Sequence, residues 1–172
     1  SGMATSGAGG VLTIIVATLV GGLVAAFFSF LIGVPALRLK GDYLAIITLG
    51  FGEIIRVVML NLEITGGARG LAGIPVLTNV NTSMIVAALT IFIIWAYMLS
   101  RHGRAVLAVR EDEIAAEASG INTFRTKIVA FVIAAFFAGV AGSLYAHQIG
   151  VLSPTKFDFN YSIEILVMVV LG

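Results

Sequence analysis

Glu53 and Arg56 are the residues best placed to do chemistry, because they are the charges inside an otherwise apolar run from Tyr43 to Leu60. Glu53 lies ten residues beyond Tyr43, about 15 Å along a helix axis and so near the middle of a bilayer. A carboxylate at that depth is costly unless it is neutralised, paired or facing water. Arg56, three residues on, shares its helical face and can either pair with it or extend its head past Leu60. Two readings stay open at this point: a self-neutralising pair buried between helices, or a polar point on a translocation pathway. Gly50-Phe51-Gly52 lowers helix propensity just before the carboxylate, and a kink there would expose backbone groups beside it. Gly50, Gly52, Glu53 and Arg56 are therefore the candidate pathway residues.

Other constellations carry less. Ser143 and His147 stand at i,i+4 like a nucleophile and its base, but no Gly-x-Ser-x-Gly elbow surrounds the serine and no third group orients the ring. No catalytic residue is expected. The chain has no cysteine and two histidines, His102 and His147, too few for a metal site without carboxylate help. Neither a metal nor another cofactor is expected. The glycine-dense stretch from Ile64 to Pro75, with Thr65, Gly66 and Gly67 at its head, lacks the Gly-Lys-Ser/Thr ending of a phosphate loop and reads as a structured turn. Ten Lys and Arg against nine Asp and Glu leave a net charge of +1, so no basic field is available to hold a nucleic acid backbone.

The elements that must position these residues are apolar helices. Of 172 residues, 59% are hydrophobic and 11% charged, with 20 glycines besides, and the mean hydropathy is +1.09. That composition excludes an ordinary soluble domain and is the opposite of a disordered one. Spanning about 30 Å of hydrocarbon takes roughly 20 residues. Val11 to Val34 offers 24 residues without a charge, followed by Pro35; Tyr43 to Leu60 offers 18, Met84 to Leu99 offers 16 with Trp95 and Tyr97 near one end, and Ile128 to Ala146 offers 19. A final apolar run starts at Ile163 and stops with Gly172, too short to span. The expected fold is thus an all-α, polytopic membrane helix bundle in one domain, with four spans and a fifth that the sequence cuts off inside the membrane. Val11 to Val34 is too long for the apolar region of a secretory signal, and no base precedes it.

Short cytoplasmic loops accumulate Lys and Arg. Arg38 and Lys40 follow the first span, and Arg101, Arg104, Arg110, Arg125 and Lys127 follow the third. The alternate connections carry one base each, Arg69 and Lys156. This pattern places the amino terminus outside. Small residues let membrane helices approach closely, and they recur every fourth position at Ala17, Gly21, Ala25, Ser29 and Gly33. A second such ladder is Ala130, Ala134, Ala138, Gly142 and Ala146, beside a third of Ala135, Gly139 and Ser143. The inner stretch from Ser100 to Lys127 holds nine of the nineteen charged residues in 28 positions. Within it Arg104 to Ser119 predicts a short cytoplasmic helix, with Gly120 as its C-cap and Asn122 capping the next. Its apolar Val106, Leu107, Val109 and Ile114 could fill a groove on a partner.

Arg38-Leu39-Lys40-Gly41-Asp42-Tyr43, continuing through Thr48-Leu49-Gly50-Phe51-Gly52-Glu53-Ile54, resembles the LivM-type permease subunits of bacterial branched-chain amino-acid ABC importers. So do Thr65-Gly66-Gly67, Gly103-Arg104-Ala105, Arg110-Glu111-Asp112-Glu113-Ile114-Ala115-Ala116, Gly120-Ile121-Asn122, Tyr145-Ala146-His147 and Ser153-Pro154. The resemblance runs from about Gly33 to Gly172. It implies an inner-membrane subunit in the lipid bilayer that pairs with a LivH-like permease, two cytoplasmic ATPase subunits and a periplasmic or lipid-anchored substrate-binding protein, with no ATP site of its own. The coupling loop it implies contains Arg104, Arg110, Glu111, Asp112, Glu113, Ala115, Ala116 and Gly120. Ile114 stands where the docking motif of ABC importers has Glu. The alternatives are an ATPase-independent channel or ion-coupled secondary transporter, and a structural membrane assembly subunit.

Overall fold

A computed structural model describes residues 8–39, 42–63, 66–76, 78–157 and 159–172. Among them, in chain order, are helix α1 (Ala8–Ala36), α2 (Asp42–Asn61), strand β1 (Leu71–Ala72), α3 (Val80–Leu99), α4 (Arg101–Glu111), α5 (Glu113–Ala118), α6 (Thr123–Ile149), β2 (Val151–Leu152) and α7 (Phe159–Leu171). Single 3-10 turns occupy Gly67–Arg69 and Pro154–Lys156. Three helical stretches are long and apolar enough to cross a membrane: Gly10–Ala36, Val80–Leu99 and Thr123–Ile149. Helix α7 contains a shorter apolar stretch, Asn160–Val169. Helix α2 matches the predicted run from Tyr43 to Leu60, and its 20 residues would reach about 30 Å. Apolar side chains stay exposed along the long helices, and α3 buries none of its residues. Such a surface is stable against lipid or other helices, not against water.

The chain forms two compact units, Ser1–Arg38 with Leu77–Gln148 and Leu39–Val76 with Ile149–Gly172. In the first, α1 and α6 pack through their small residues. A Cβ on Gly139 would lie 2.6 Å from the Gly21 carbonyl oxygen and 2.6 Å from the Ala25 Cβ, so the two backbones touch there. One on Gly21 would meet the Gly139 carbonyl and the Ser143 Cβ, both at 3.4 Å. The rings of Phe136 and Phe131 fill the spaces over Gly22 and Gly33. Of the two small-residue ladders on α6, it is therefore the shorter one, through Gly139 and Ser143, that forms the seam. Gly142, on the longer ladder, faces open space. Buried Thr18 satisfies its hydroxyl on its own helix, donating to the Ile14 carbonyl at 2.8 Å.

The second unit is built on α2 and a glycine-rich connection. Strand β1 pairs antiparallel with β2, Leu71 opposite Leu152 and Ala72 opposite Val151, and the Ile74 amide extends the ribbon to the Gly150 carbonyl at 3.2 Å. Among the described residues, this ribbon is the one departure from the all-α expectation. Gly66 and Gly70 make it possible: both have positive φ, 74° and 75°. A side chain on Gly66 would run into the Gly70 carbonyl, and one on Gly70 into the Leu152 carbonyl. Only glycine combines that conformation with so close an approach. The connection is thus a structured turn, as its composition predicts; Thr65 lies outside the described residues.

Candidate transport site and coupling elbow

Helix α2 runs unbroken from Asp42 to Asn61, so the helix does not break at Gly50-Phe51-Gly52. The intrahelical bonds outweigh the low propensity of two glycines, which costs only about 1 kcal/mol each. The glycines instead leave space, since a Cβ at Gly50 or Gly52 would meet nothing within 4 Å. Arg56 Nη1 donates to Glu53 Oε2 at 3.1 Å, with the arginine side chain 28% and the glutamate side chain 43% exposed. The predicted pair therefore forms within one helical face, and it is partly open to its surroundings. Arg56 Nε is buried and donates to no acceptor.

Beside this pair lies a cavity of about 380 Å³, lined by Gly52, Ile55, Arg56 and Met59 of α2 and by Leu71, Leu152, Pro154 and Phe157. Among the described residues, Arg56 is its one charged wall residue. The four residues from the ribbon and the following turn were not singled out as site residues from the sequence. The signals that point to them are the glycine density of the turn and the Ser153-Pro154 pair, which starts a 3-10 turn with the Ser153 hydroxyl accepting from the Thr155 amide at 3.4 Å.

The charged elbow is two helices, where the sequence predicts one from Arg104 to Ser119. Asp112 breaks the run. Its backbone is extended, with φ −153° and ψ 112°, and its Oδ1 accepts from the amides of Ile114 at 2.8 Å and Ala115 at 3.1 Å. It thereby ends α4 and caps α5. Gly120 closes α5 as predicted, with its amide on the Glu117 carbonyl and the Ile121 amide on the Ala116 carbonyl, the paired bonds of a left-handed helix stop. Asn122 Oδ1 then accepts from the Arg125 amide at 2.9 Å and caps α6. Ser100 and Gly103 make the corner between α3 and α4. The Ser100 hydroxyl donates to the Tyr97 carbonyl at 2.6 Å and accepts from the Gly103 amide at 3.2 Å, and Gly103 is buried where any Cβ would strike the backbone of Tyr97 and Met98.

The elbow's charges divide into two kinds. Lys127 Nζ holds Glu113 Oε2 at 2.7 Å, tying the start of α5 to α6. Arg110 and Glu111 stand about three-quarters exposed and 3.9 Å apart. Leu107 and Ile114 are exposed, whereas Val106 and Val109 line a cavity of about 360 Å³ with Leu37, Lys127 and Phe131. His147 Nδ1 approaches the Ser143 carbonyl at 2.8 Å, so that ring nitrogen engages the backbone.

A profile of the family described as "Branched-chain amino acid transport system / permease component" matches residues 1–172. The chain belongs to this family. The permease is 39% identical over 188 residues to the high-affinity branched-chain amino acid transport system permease protein LivM of Escherichia coli (strain K12), covering 89% of this chain and 44% of that protein. LivM of Salmonella typhimurium is 40% identical over 186 residues, 88% of this chain and 44% of that one. The permease protein LivH of Escherichia coli (strain K12) is 45% identical over 73 residues, 42% of this chain and 22% of LivH. The chain thus spans less than half the length of the LivM proteins it matches. No solved structure matches it. Family and apolar helices together make it a multi-pass membrane transport component.

Proposed function

We propose that this permease is part of an ATP-binding-cassette importer that carries branched-chain amino acids across the bacterial inner membrane. The observation that carries the reading is the family match over every residue, joined to 39–40% identity with two LivM proteins. Its similarity to a LivH as well favours a second, related permease chain beside it. ATP hydrolysis falls to two cytoplasmic ATPase subunits, and a periplasmic or lipid-anchored binding protein delivers the substrate. In this reading α2 is a further span beside the three helices long and apolar enough to cross a membrane, and the second in chain order. The excess of bases after α1 and α3 puts the elbow in the cytoplasm and the amino terminus and the β1–β2 ribbon outside.

In this reading Glu53 and Arg56 mark the pathway, with Gly50 and Gly52 keeping it open. Arg104, Arg110, Glu111, Asp112, Glu113, Ala115, Ala116 and Gly120 form the coupling elbow, and Thr65, Gly66 and Gly67 belong to the outer turn. The full-length permease, co-reconstituted in proteoliposomes with its partner permease, ATPases and binding protein, takes up L-leucine only when ATP is supplied to the ATPases. Uptake that persists without the ATPases supports a channel or ion-coupled carrier and overturns the proposal. A reporter fused after His102 or Arg110 reports cytoplasmic and one within Gly66 to Gly73 external; the same side for both overturns the orientation.

A further inference from the structure

The guanidinium of Arg56 is half used. One terminal nitrogen serves Glu53, while the buried Nε–H donates to nothing. A buried donor left without an acceptor is costly, and on a cation the cost is greater. Nε itself is enclosed by the protein, but Arg56 also lines a cavity whose other walls among the described residues, Gly52, Ile55, Met59, Leu71, Leu152, Pro154 and Phe157, carry no charge. At about 380 Å³ the space lies at the small end of ligand pockets, which run from about 300 to 1,000 Å³. What fits is a small molecule with one carboxylate and an apolar body.

We infer that this cavity is a binding site for an apolar amino acid, with the Arg56 guanidinium on its wall donating to the α-carboxylate and the walls from Leu71, Leu152 and Phe157 enclosing its side chain. The inference rests on the proposed branched-chain amino-acid transport and gives it a place and a set of roles. Glu53 is a positioning residue, holding the guanidinium through Nη1 beside the cavity. Gly52 is a specificity residue, because the space a side chain would occupy there is empty and belongs to the cavity wall. A fatty-acid carboxylate offers the same head and tail chemistry, so the test separates the two ligands.

Gly52→Leu is the discriminating variant. A Cβ there would meet no atom within 4 Å and leucine raises helix propensity, so the longer side chain enters the cavity without opposing the helix. Purified complete complex, free of binding protein, is assayed for retention of isotopic L-leucine, L-alanine and oleate. We expect Gly52→Leu to lower leucine retention about tenfold, roughly 1.4 kcal/mol, and alanine retention about threefold or less. Arg56→Lys keeps the charge but loses the planar guanidinium fork and lowers both amino acids alike. Wild-type leucine-to-alanine ratios in Gly52→Leu at normal folded yield overturn the inference, as does retention of oleate in place of leucine. A swap of Glu53→Arg with Arg56→Glu preserves the ion pair; leucine retention restored by the swap makes Arg56 purely structural and overturns it too. If wild-type complex instead fails to take up leucine with ATP and binding protein present, the transport reading itself falls, a failure distinct from normal uptake with indifferent variants.

Discussion

The two units keep their helices together by opposite means. In the unit containing α1 and α6, contact comes from the absence of side chains: Gly21 and Gly139 bring backbones together, and Phe131 and Phe136 cover Gly33 and Gly22. The unit containing α2 carries an ion pair, an idle guanidinium nitrogen, a hydrogen-bonded ribbon and a cavity. Close packing of small residues leaves no room at the Gly21–Gly139 contact itself, and glycine facing open space makes room. The same residue type thus serves cohesion at Gly139 and vacancy at Gly52.

Substitution of these glycines separates the two uses most sharply. Gly139→Leu should collapse the folded yield of the permease in detergent, because its side chain would have to displace the Gly21 backbone; overpacking of this kind costs about 1–3 kcal/mol or more. Gly142→Ala, three residues along the same helix, adds its methyl to open space and should leave yield and thermal midpoint unchanged. Equal losses from both would show that α6 is not held by the Gly139 seam. A smaller effect is expected at the ion pair. Glu53→Ala should cut ATP-driven leucine uptake about tenfold, equivalent to 1.4 kcal/mol, with folded yield retained since both side chains are partly exposed. Glu53→Gln, which keeps an oxygen for Arg56 Nη1, should recover part of that loss. Normal uptake with normal yield removes Glu53 from the pathway.

Much of this was legible in residue patterns, and the exceptions share a cause. Apolar runs and charge spacing place α1, α2, α3 and α6, the Gly120 stop, the Asn122 cap and the Glu53–Arg56 pair, all of which depend on neighbours within a few positions. Both ladders on α6 were equally legible, and only the partner helix decides that Gly139 is enclosed and Gly142 open. The cavity was hidden for the same reason: Arg56 is separated from Leu152 and Phe157 by nearly a hundred positions, and no local spacing encodes their meeting. The break at Asp112 was missed although an Asp followed by helix formers is a cap signal, because the run on either side reads as one helix. The unbroken course of α2 through Gly50 and Gly52 shows the converse, a local weakness overridden by the helix around it.

The elbow gives an intermediate case, since it contains both structural and available charges. Arg110→Glu should release the ATPase or uncouple its hydrolysis from uptake, while the helices stay folded, because Arg110 is exposed and its nearest acid is 3.9 Å away. Glu111→Lys should act the same way, through charge complementarity that governs partner choice and association. Glu113→Lys differs: it breaks the 2.7 Å bridge to Lys127 and loosens α5 itself. Co-purification of the ATPase and substrate-stimulated hydrolysis read the first effect, and protease sensitivity of the elbow reads the second. If Arg110→Glu leaves both coupling measures at wild type, the elbow is a solvated connector.

The smallest expected effect is at Asp112, and it tests how independently α5 folds. Its Oδ1 accepts from the Ile114 and Ala115 amides, two of the donors that a helix of six residues cannot satisfy internally. Asp112→Ala removes both acceptances, a loss of about 1 kcal/mol for a typical N-cap. Local opening should then become about five times more frequent, the factor that 1 kcal/mol represents, and amide exchange at Ile114 and Ala115 should accelerate by that ratio. Exchange at Arg104, whose amide bonds to the Ser100 carbonyl at the other end of the elbow, should not change. If Ile114 and Ala115 exchange at the wild-type rate, the Lys127–Glu113 bridge and the Gly120 stop suffice to hold α5, and Asp112 then serves mainly to end α4. If exchange accelerates across the whole elbow, α4 and α5 open together, and the break between them does not divide the elbow into separately moving parts.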